Sequence, residues 1–411
     1  MRIGEFAKMN STTIDTVRHY MSLNLIFPEK KHSQYDFDNR CQSDFDDILR
    51  FKTLGFSLQE IQTFMAFKRI GRLSGYEKSL YYQSLFEQRL SELDLQIQTL
   101  TDSKELLASE ISTLKSTSFP TRPFGVPLSC LSLVICPKCG GNMMLDRAQV
   151  KMQQVVNGLL VCPCGENLTI SDGILIAQGA KKQPHYFQSD ITDVYLDEYI
   201  EKTDPDYLTH LYKTFEWGYK NIPLADFQDS TFLEIGIGHG FFLRYCFEKM
   251  HPSIRYVAVD HDIDKLKWLS YRLSRTPMPF DIMLIACDFT TIPLRNQSID
   301  LLLDISGSSN YAFDHTEFLL PQLLKYMKTQ APLLSGYLLF ENFGKQSKIS
   351  PEYRPNFRLT PVLESLKSLG FEEQLSYRSD FVHKGGVYEN FFTDGERVFS
   401  YLYYGVRNEP L

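Results

Sequence analysis

Two pairs of cysteines and one run of alternate glycines are the residues of this sequence best suited to chemistry. Cys136 and Cys139 stand in ICPKCGGNMML, and Cys162 and Cys164 follow about two dozen residues later in LVCPCGENLTISDGIL. Cys-Pro-x-Cys-Gly sets two thiolates on a tight knuckle whose glycine allows the turn. A second knuckle completes a tetrahedral four-sulfur site suited to Zn2+ in a structural role. The second knuckle is Cys-x-Cys, one residue shorter than usual and so tighter. Core cysteines brought together by chance, or a redox pair, are the competing readings. The glycine run is FLEIGIGHGFF, Phe232 to Phe242, with Gly236, Gly238 and Gly240 at alternate positions. An apolar strand enters it, the helix FFLRYCFEKM leaves it, and the next strand, RYVAVD, ends in Asp260. Strand, glycine turn, helix, strand and terminal carboxylate form a nucleotide-binding unit, the carboxylate placed to accept from ribose hydroxyls. By itself the pattern admits NAD as well as other nucleotide cofactors.

The elements that carry these groups occupy a chain of 411 residues, long enough for roughly two to four domains. Its 43% hydrophobic and 23% charged residues are those of an ordinary globular protein. No apolar run reaches the roughly 18 residues that span a bilayer, and MRIGEFAKMN lacks the apolar stretch of a signal peptide, so a cytoplasmic location is expected. Eight cysteines are too few for a disulfide scaffold, and the two pairs suit metal in a reducing compartment. A net charge of -7 argues against a nonspecific polyanion binder while leaving room for a local DNA-binding surface.

The first segment joins a short helix at IGEFAKM to a second from Thr12 to about Ser22 through the turn NSTT, a helix-turn-helix signal. IGEFAKMNSTTIDTVRHYMSLNLIFP, then YDF, then LGFSLQEIQTF, resembles the DNA-binding domain of the MerR family of transcription regulators in order and spacing. The resemblance implies a winged helix-turn-helix over residues 1–75 in which Arg18 and Tyr20 belong to the recognition helix, reaching base edge or phosphate. Where that family carries Gly-Tyr-Arg in its wing, this chain has Ser33, Gln34 and Tyr35 with Asp36 before Phe37. Lys30, Lys31 and His32 are the substitutes for the lost arginine. Cys41 has no partner nearby and reads as packing. Residues 76–118 form one long helix with Phe86, Leu90, Leu93, Ile97, Leu100, Lys104, Leu107, Ile111 and Leu114 at alternating four and three spacing, a coiled-coil seam. In the MerR family the equivalent helix pairs with its twin, which implies a homodimer on a palindromic promoter in double-stranded DNA. SFPTRPFGVP reads as a linker.

Residues 119–185 hold this linker and the cysteine knuckles, and look like the small zinc-ribbon proteins that partner methyltransferases and the ribbon before ribosomal RNA guanine methyltransferases. Cys130 lies near the first knuckle without ligand spacing. Residues 186–411 resemble a class I S-adenosylmethionine-dependent methyltransferase, an α/β Rossmann-like fold. Glu234 opens the E-x-G-x-G-x-G of its first motif, where dinucleotide folds use G-x-G-x-x-G. LIACDFTTIPLRNQSIDLLLD supplies Asp288 for the adenine amino group with Phe289 beside it. GYLLFENF, LKSLGFEE and SYLYYGVR resemble the last strands and helix. Asp304, Asn310, Tyr311 and His315 are the polar candidates at the acceptor, each equally able to cap a strand or loop. Trp217 and Tyr219 are candidates for a lid or for packing. The Asn-Pro-Pro-Tyr signature of amino-nitrogen methylases is absent. The sum is a multidomain MerR-type regulator whose C-terminal domain binds S-adenosylmethionine and is expected to methylate a small molecule. The alternatives are a zinc-ribbon RNA methyltransferase and a sensor that binds the cofactor without turnover.

Overall fold

In the computed structural model of the chain, Thr13 starts the second helix, its hydroxyl oxygen accepting the Thr16 N–H at 3.1 Å. Residues 1–31, 34–70, 74–116, 121–181, 194–276, 278–391 and 393–408 are described. The chain divides into two compact units, Met1–Ser118 and Phe119–Leu411.

In the first unit α1 (Ile3–Met9) and α2 (Ile14–Ser22) precede a hairpin of β1 (Glu29–Lys31) and β2 (Gln34–Asp36). Three more helices follow, α3 (Asn39–Thr53), α4 (Leu58–Ile70) and α5 (Gly75–Ser116). Capping boxes open the last two: Ser57 and Glu60 exchange bonds at α4, and Ser74 and Glu77 at α5. Phe6, Tyr20, Phe45, Phe51, Ile61 and Phe64 meet in one core, with Phe51 stacked on Phe64 at 4.5 Å, and Cys41 is buried among them as packing. Tyr81, Tyr82, Leu85 and Phe86 at the start of α5 pack on that core. Farther along the seam Leu90, Ile97, Leu100, Leu107, Ile111 and Leu114 are all exposed, Leu100 by 70%. A 42-residue helix is roughly 63 Å long, so most of it extends past the core it is rooted in.

The second unit is built on a 12-stranded sheet. Its strands are β3 (Val126–Pro127), β4 (Met144–Lys151), β5 (Gln154–Val161), β6 (Asn167–Ser171) and β7 (Ile174–Ile176), then, after α6 (Val194–Lys202) and α7 (Pro205–Asn221), β8 (Thr231–Ile235). α8 (Phe241–Cys246), β9 (Arg255–Asp260), α9 (Ile263–Leu273), β10 (Asp281–Ala286) and β11 (Leu301–Asp304) come next. α10 (Gly307–Tyr311), α11 (Leu320–Leu323), β12 (Pro332–Asn342), α12 (Leu359–Ser368), β13 (Phe371–Arg378) and β14 (Arg397–Arg407) complete it. The order β10-β9-β8-β11-β12-β14-β13 is a Rossmann-like mixed sheet, parallel except for β14, which runs antiparallel to both neighbours. Order reverses at β8, with β9 on one side and β11 on the other, and ligands of such sheets bind at that switch point.

The ribbon strands continue this sheet. β7 lies parallel on β10, with Leu284 opposite Ile174 and Ala286 opposite Ile176, and β6, β5 and β3 follow antiparallel. Val126, Val155, Leu160 and Ile170 therefore share a core with Leu233, Val257 and Ile285. The proline-rich stretch read as a linker is built into the unit over residues 121–127: Arg122 donates its N–H to the Ser274 carbonyl at 2.7 Å, and Val126 is wholly buried opposite Val155. Proline suits a short edge strand as well as a tether, so composition did not separate the two. No helix among the described residues is long and apolar enough to cross a membrane.

Candidate functional site

The turn between β8 and α8 bends back through three glycines, all left-handed: φ is 69° at Gly236, 51° at Gly238 and 67° at Gly240. They differ in what surrounds them. A Cβ on Gly236 would lie 2.7 Å from the Gly307 Cα, and one on Gly240 would lie 2.8 Å from a Leu269 methyl, so those two serve packing. A Cβ on Gly238 would meet no atom within 4 Å. At this position alone of the three, the backbone faces open space and can approach a ligand.

Asp260 ends β9 beside that turn and is 4% exposed. Its Oδ2 accepts the Gly238 N–H at 2.9 Å and its Oδ1 the Asp262 N–H at 2.9 Å. The carboxylate thus holds the glycine turn in place, with His261 Nδ1 3.8 Å from its Oδ1. Glu234 points the other way. It lies buried under the sheet, accepts the Tyr256 hydroxyl at 2.5 Å, and is pushed up to about 8 by burial. Alternation along β8 sends Leu233 and Ile235 to one core and Phe232 and Glu234 to the other, so Glu234 is a fold-building acid and not a ligand contact.

Across the turn, Asp288 accepts the Thr290 N–H at 2.8 Å and the Thr290 hydroxyl at 2.6 Å, both on Oδ1. Its burial raises the carboxyl, but these bonds outweigh it, with Lys181 and His315 adding to the net lowering. Oδ2 has no partner among the described residues. Phe289 is buried with its ring 6.3 Å from that of His261, edge to face. His261 follows Asp260 directly, and it and the segment Gln178–Lys181 belong to this neighbourhood without any signal in the sequence. The glycine turn also carries His239, pressed against the Trp268 ring at 5.1 Å and pushed down to about 3 by burial, so it is neutral.

Of the acceptor candidates, Asp304 is wholly buried, caps α10 by accepting the Ser308 N–H at 2.8 Å and hydroxyl at 2.5 Å, and is raised to about 6 by burial. Asn310 is exposed. Tyr311 and His315 stack face to face at 3.7 Å, and His315 Nδ1 lies 2.9 Å from the Tyr311 carbonyl. Around the end of β12, Phe340 of that strand packs with Tyr207, Phe313, Phe357 and Phe391. Buried Glu396 ties the loops there, accepting N–H bonds from Gly344 at 3.0 Å and Thr393 at 2.7 Å. Trp217 stacks on Tyr377 at 5.7 Å, and Tyr219 packs edge-on to Tyr245, so both are part of the core and neither forms a lid.

The four cysteines converge. The sulfurs of Cys136, Cys139, Cys162 and Cys164 all lie within 4.8 Å of one another, with Cys136 to Cys164 and Cys139 to Cys162 each at 3.5 Å. Four thiolates on one zinc stand roughly 3.8 Å apart at the usual Zn–S length, so the donor set and its spacing fit Zn2+. Gly140 and Gly165 take left-handed φ values of 72° and 90°, making each knuckle turn back. The neighbouring Cys130 is buried and raised to about 12 by that burial, outside the cluster.

In the first unit, helical period puts Val17 and Tyr20 on the buried face of α2 and Arg18 outside. Arg18 is 67% exposed and loosely paired with Asp15 at 3.3 Å. Tyr20, expected to reach phosphate, is 3% exposed, its ring against Phe45 and its hydroxyl 3.3 Å from Lys52 Nζ, so it supports the helix from beneath. On the wing, Lys30 and Lys31 are exposed. Asp36 accepts Lys31 Nζ at 2.7 Å, a bond that holds its carboxyl at about 2 and offsets the Lys31 charge. His32 and Ser33 lie outside the described residues.

No curated protein sequence matches the chain. Among solved structures it is similar to a SAM-dependent methyltransferase from Aquifex aeolicus, at 15% identity and a TM-score of 0.34 over 54% of this chain and 100% of that one. It is likewise similar to the geranyl diphosphate C-methyltransferase of Streptomyces coelicolor A3(2), at 10% identity and a TM-score of 0.38 over 56% of this chain and 92% of that one. Residues 1–68 match the MerR HTH family regulatory protein. The first unit of this chain therefore begins with a MerR HTH family domain.

Proposed function

We propose that the protein is a homodimeric, cytoplasmic transcription regulator that reads a palindromic promoter with its first unit and binds S-adenosylmethionine with its second, where it methylates a small molecule. Among all the observations, the opening in front of Gly238 carries the cofactor reading furthest. It is a left-handed backbone position facing empty space at the switch point of the sheet, its N–H held by the carboxylate of Asp260. Asp260 suits the ribose, and Asp288 Oδ2 suits the adenine amino group, with Phe289 beside it. S-adenosylmethionine bound there would supply an activated methyl group. The chain's own part is then alignment of an acceptor, which calls for no strong base when the acceptor is already nucleophilic. Of the four acceptor candidates, Tyr311 and His315 keep accessible polar atoms next to Asp288, while Asp304 is committed to its cap.

For the first unit, Arg18 supplies the exposed base-reaching side chain, and Lys30 supplies phosphate contact on the wing. The apolar seam of α5, exposed in a single chain, is the surface on which a second copy pairs.

Calorimetry with S-adenosylmethionine, S-adenosylhomocysteine and NAD tests the cofactor assignment. Both sulfur compounds should bind the wild-type protein and NAD should not. Gly238→Asn keeps a residue type that tolerates the left-handed backbone, so its added side chain should abolish binding by filling the opening. Binding of NAD alone would overturn the reading.

A further inference from the structure

The four-cysteine cluster and the loop that carries Asp288 and Phe289 are joined by two separate sets of hydrogen bonds. One set roots the first knuckle. The Leu133 carbonyl accepts the Arg295 N–H at 2.8 Å, Ile135 donates its N–H to the Pro293 carbonyl at 3.1 Å, and Arg295 Nη2 donates to Asn142 Oδ1 at 2.7 Å. Asn142 in turn pairs with Ile135 across the knuckle of Cys136 and Cys139. Residues 293–295 are thereby fastened to the base of the first cysteine pair.

The second set comes from the other knuckle. Cys162 and Cys164 sit between β5 and β6, β6 pairs with β7, and the chain leaving β7 runs along the cofactor side of β10. There Ala177 donates to the Ala286 carbonyl at 2.9 Å, the Gln178 carbonyl accepts the Asp288 N–H at 3.0 Å and the Thr291 hydroxyl at 3.2 Å, and Lys181 donates to the His261 carbonyl at 2.7 Å. Gly179 passes so near that an added Cβ would lie 2.5 Å from the Asp288 Cβ. Residues 288–295 are thus held on one side by the stem of each knuckle, and the sulfurs are the place where the two stems meet. A metal bonded to all four thiolates cross-links the stems and removes the freedom of the loop between them.

We propose that metal at the four-cysteine centre sets the affinity of the cofactor site by clamping the 288–295 loop, with Gln178 and Arg295 as the positioning residues that transmit the clamp. The inference rests on the S-adenosylmethionine reading of the glycine turn. Because the ribbon strands share the core of the large sheet, loss of metal loosens the knuckles and the loop without unfolding the unit. Linkage makes the effect reciprocal: cofactor binding tightens metal by the same factor.

The test is calorimetry with S-adenosylhomocysteine on the full-length protein, zinc-loaded and chelator-stripped, with circular dichroism to follow the fold. Stripping should weaken binding by about fivefold or more, and added zinc should restore it. Arg295 is exposed, so Arg295→Ala is a mild change for the fold. It should weaken binding in the loaded protein, and stripping that variant should then cost less than stripping the wild type. As a readout independent of cofactor titration, saturating S-adenosylhomocysteine should slow zinc loss to a competing chelator. A stripped, still folded protein that binds as tightly as the loaded one overturns the proposal. If stripping unfolds the unit, unchanged affinity in zinc-loaded Arg295→Ala overturns it instead. A loaded wild type that binds neither sulfur compound brings down the cofactor reading itself, a result distinct from both.

Discussion

Glu234 shows what a single residue contributes and how its role differs from what its motif suggests. The acid of E-x-G-x-G-x-G faces Tyr256 under the sheet, protonated up to about pH 8 because burial disfavours its charge. In the unfolded chain it ionises near its ordinary value of 4.5. Between those two values the folded state holds a proton that the unfolded state has released, so its contribution falls as pH rises through that window, by up to about 1.4 kcal/mol per pH unit. Glu234→Gln should flatten the decline in stability measured by denaturant unfolding from about pH 5 to pH 8, and should be more stable than the wild type at the upper end. A variant with the same slope as the wild type would mean that Glu234 is charged in the folded protein. The glycine spacing was legible in sequence because turn chemistry is local. The direction of Glu234 was not, since it depends on the register of β8 against its two cores.

At the scale of elements, the helix-turn-helix and the long helix could be read in advance from polar caps and apolar spacing, both carried within a few residues of one another. The pairing of β7 with β10 could not. It joins Ile174 to Leu284 across more than a hundred residues, and nothing in either three-residue run names the other. The same holds for Val126, whose burial depends on its pairing with Val155, and for Arg122, whose N–H bonds Ser274 at the end of α9. The seam of α5 makes its own prediction. Leu100 is exposed in one chain and central in the apolar repeat, so Leu100→Glu places a charge on the surface proposed to pair with a second copy. Sedimentation should show a dimer for the wild type and predominantly monomer for the variant, with the unit's helical circular dichroism reduced along α5. A variant that stays dimeric would place the interface elsewhere.

For the whole molecule, the proposed DNA-reading head and the proposed cofactor site in one chain make sense together when the occupancy of one governs the output of the other. Two states that differ in cofactor affinity must, by linkage, differ in their population when the cofactor binds. Transcription in vitro from the promoter upstream of the protein's own gene, with purified full-length protein and with or without saturating S-adenosylmethionine, tests that claim most directly. Protein-dependent output should change by about fivefold or more, in either direction, when the cofactor is added, and Gly238→Asn should lose that response. Protein-dependent output that is identical with and without S-adenosylmethionine, in a preparation shown to bind it, would mean that cofactor occupancy does not govern transcription.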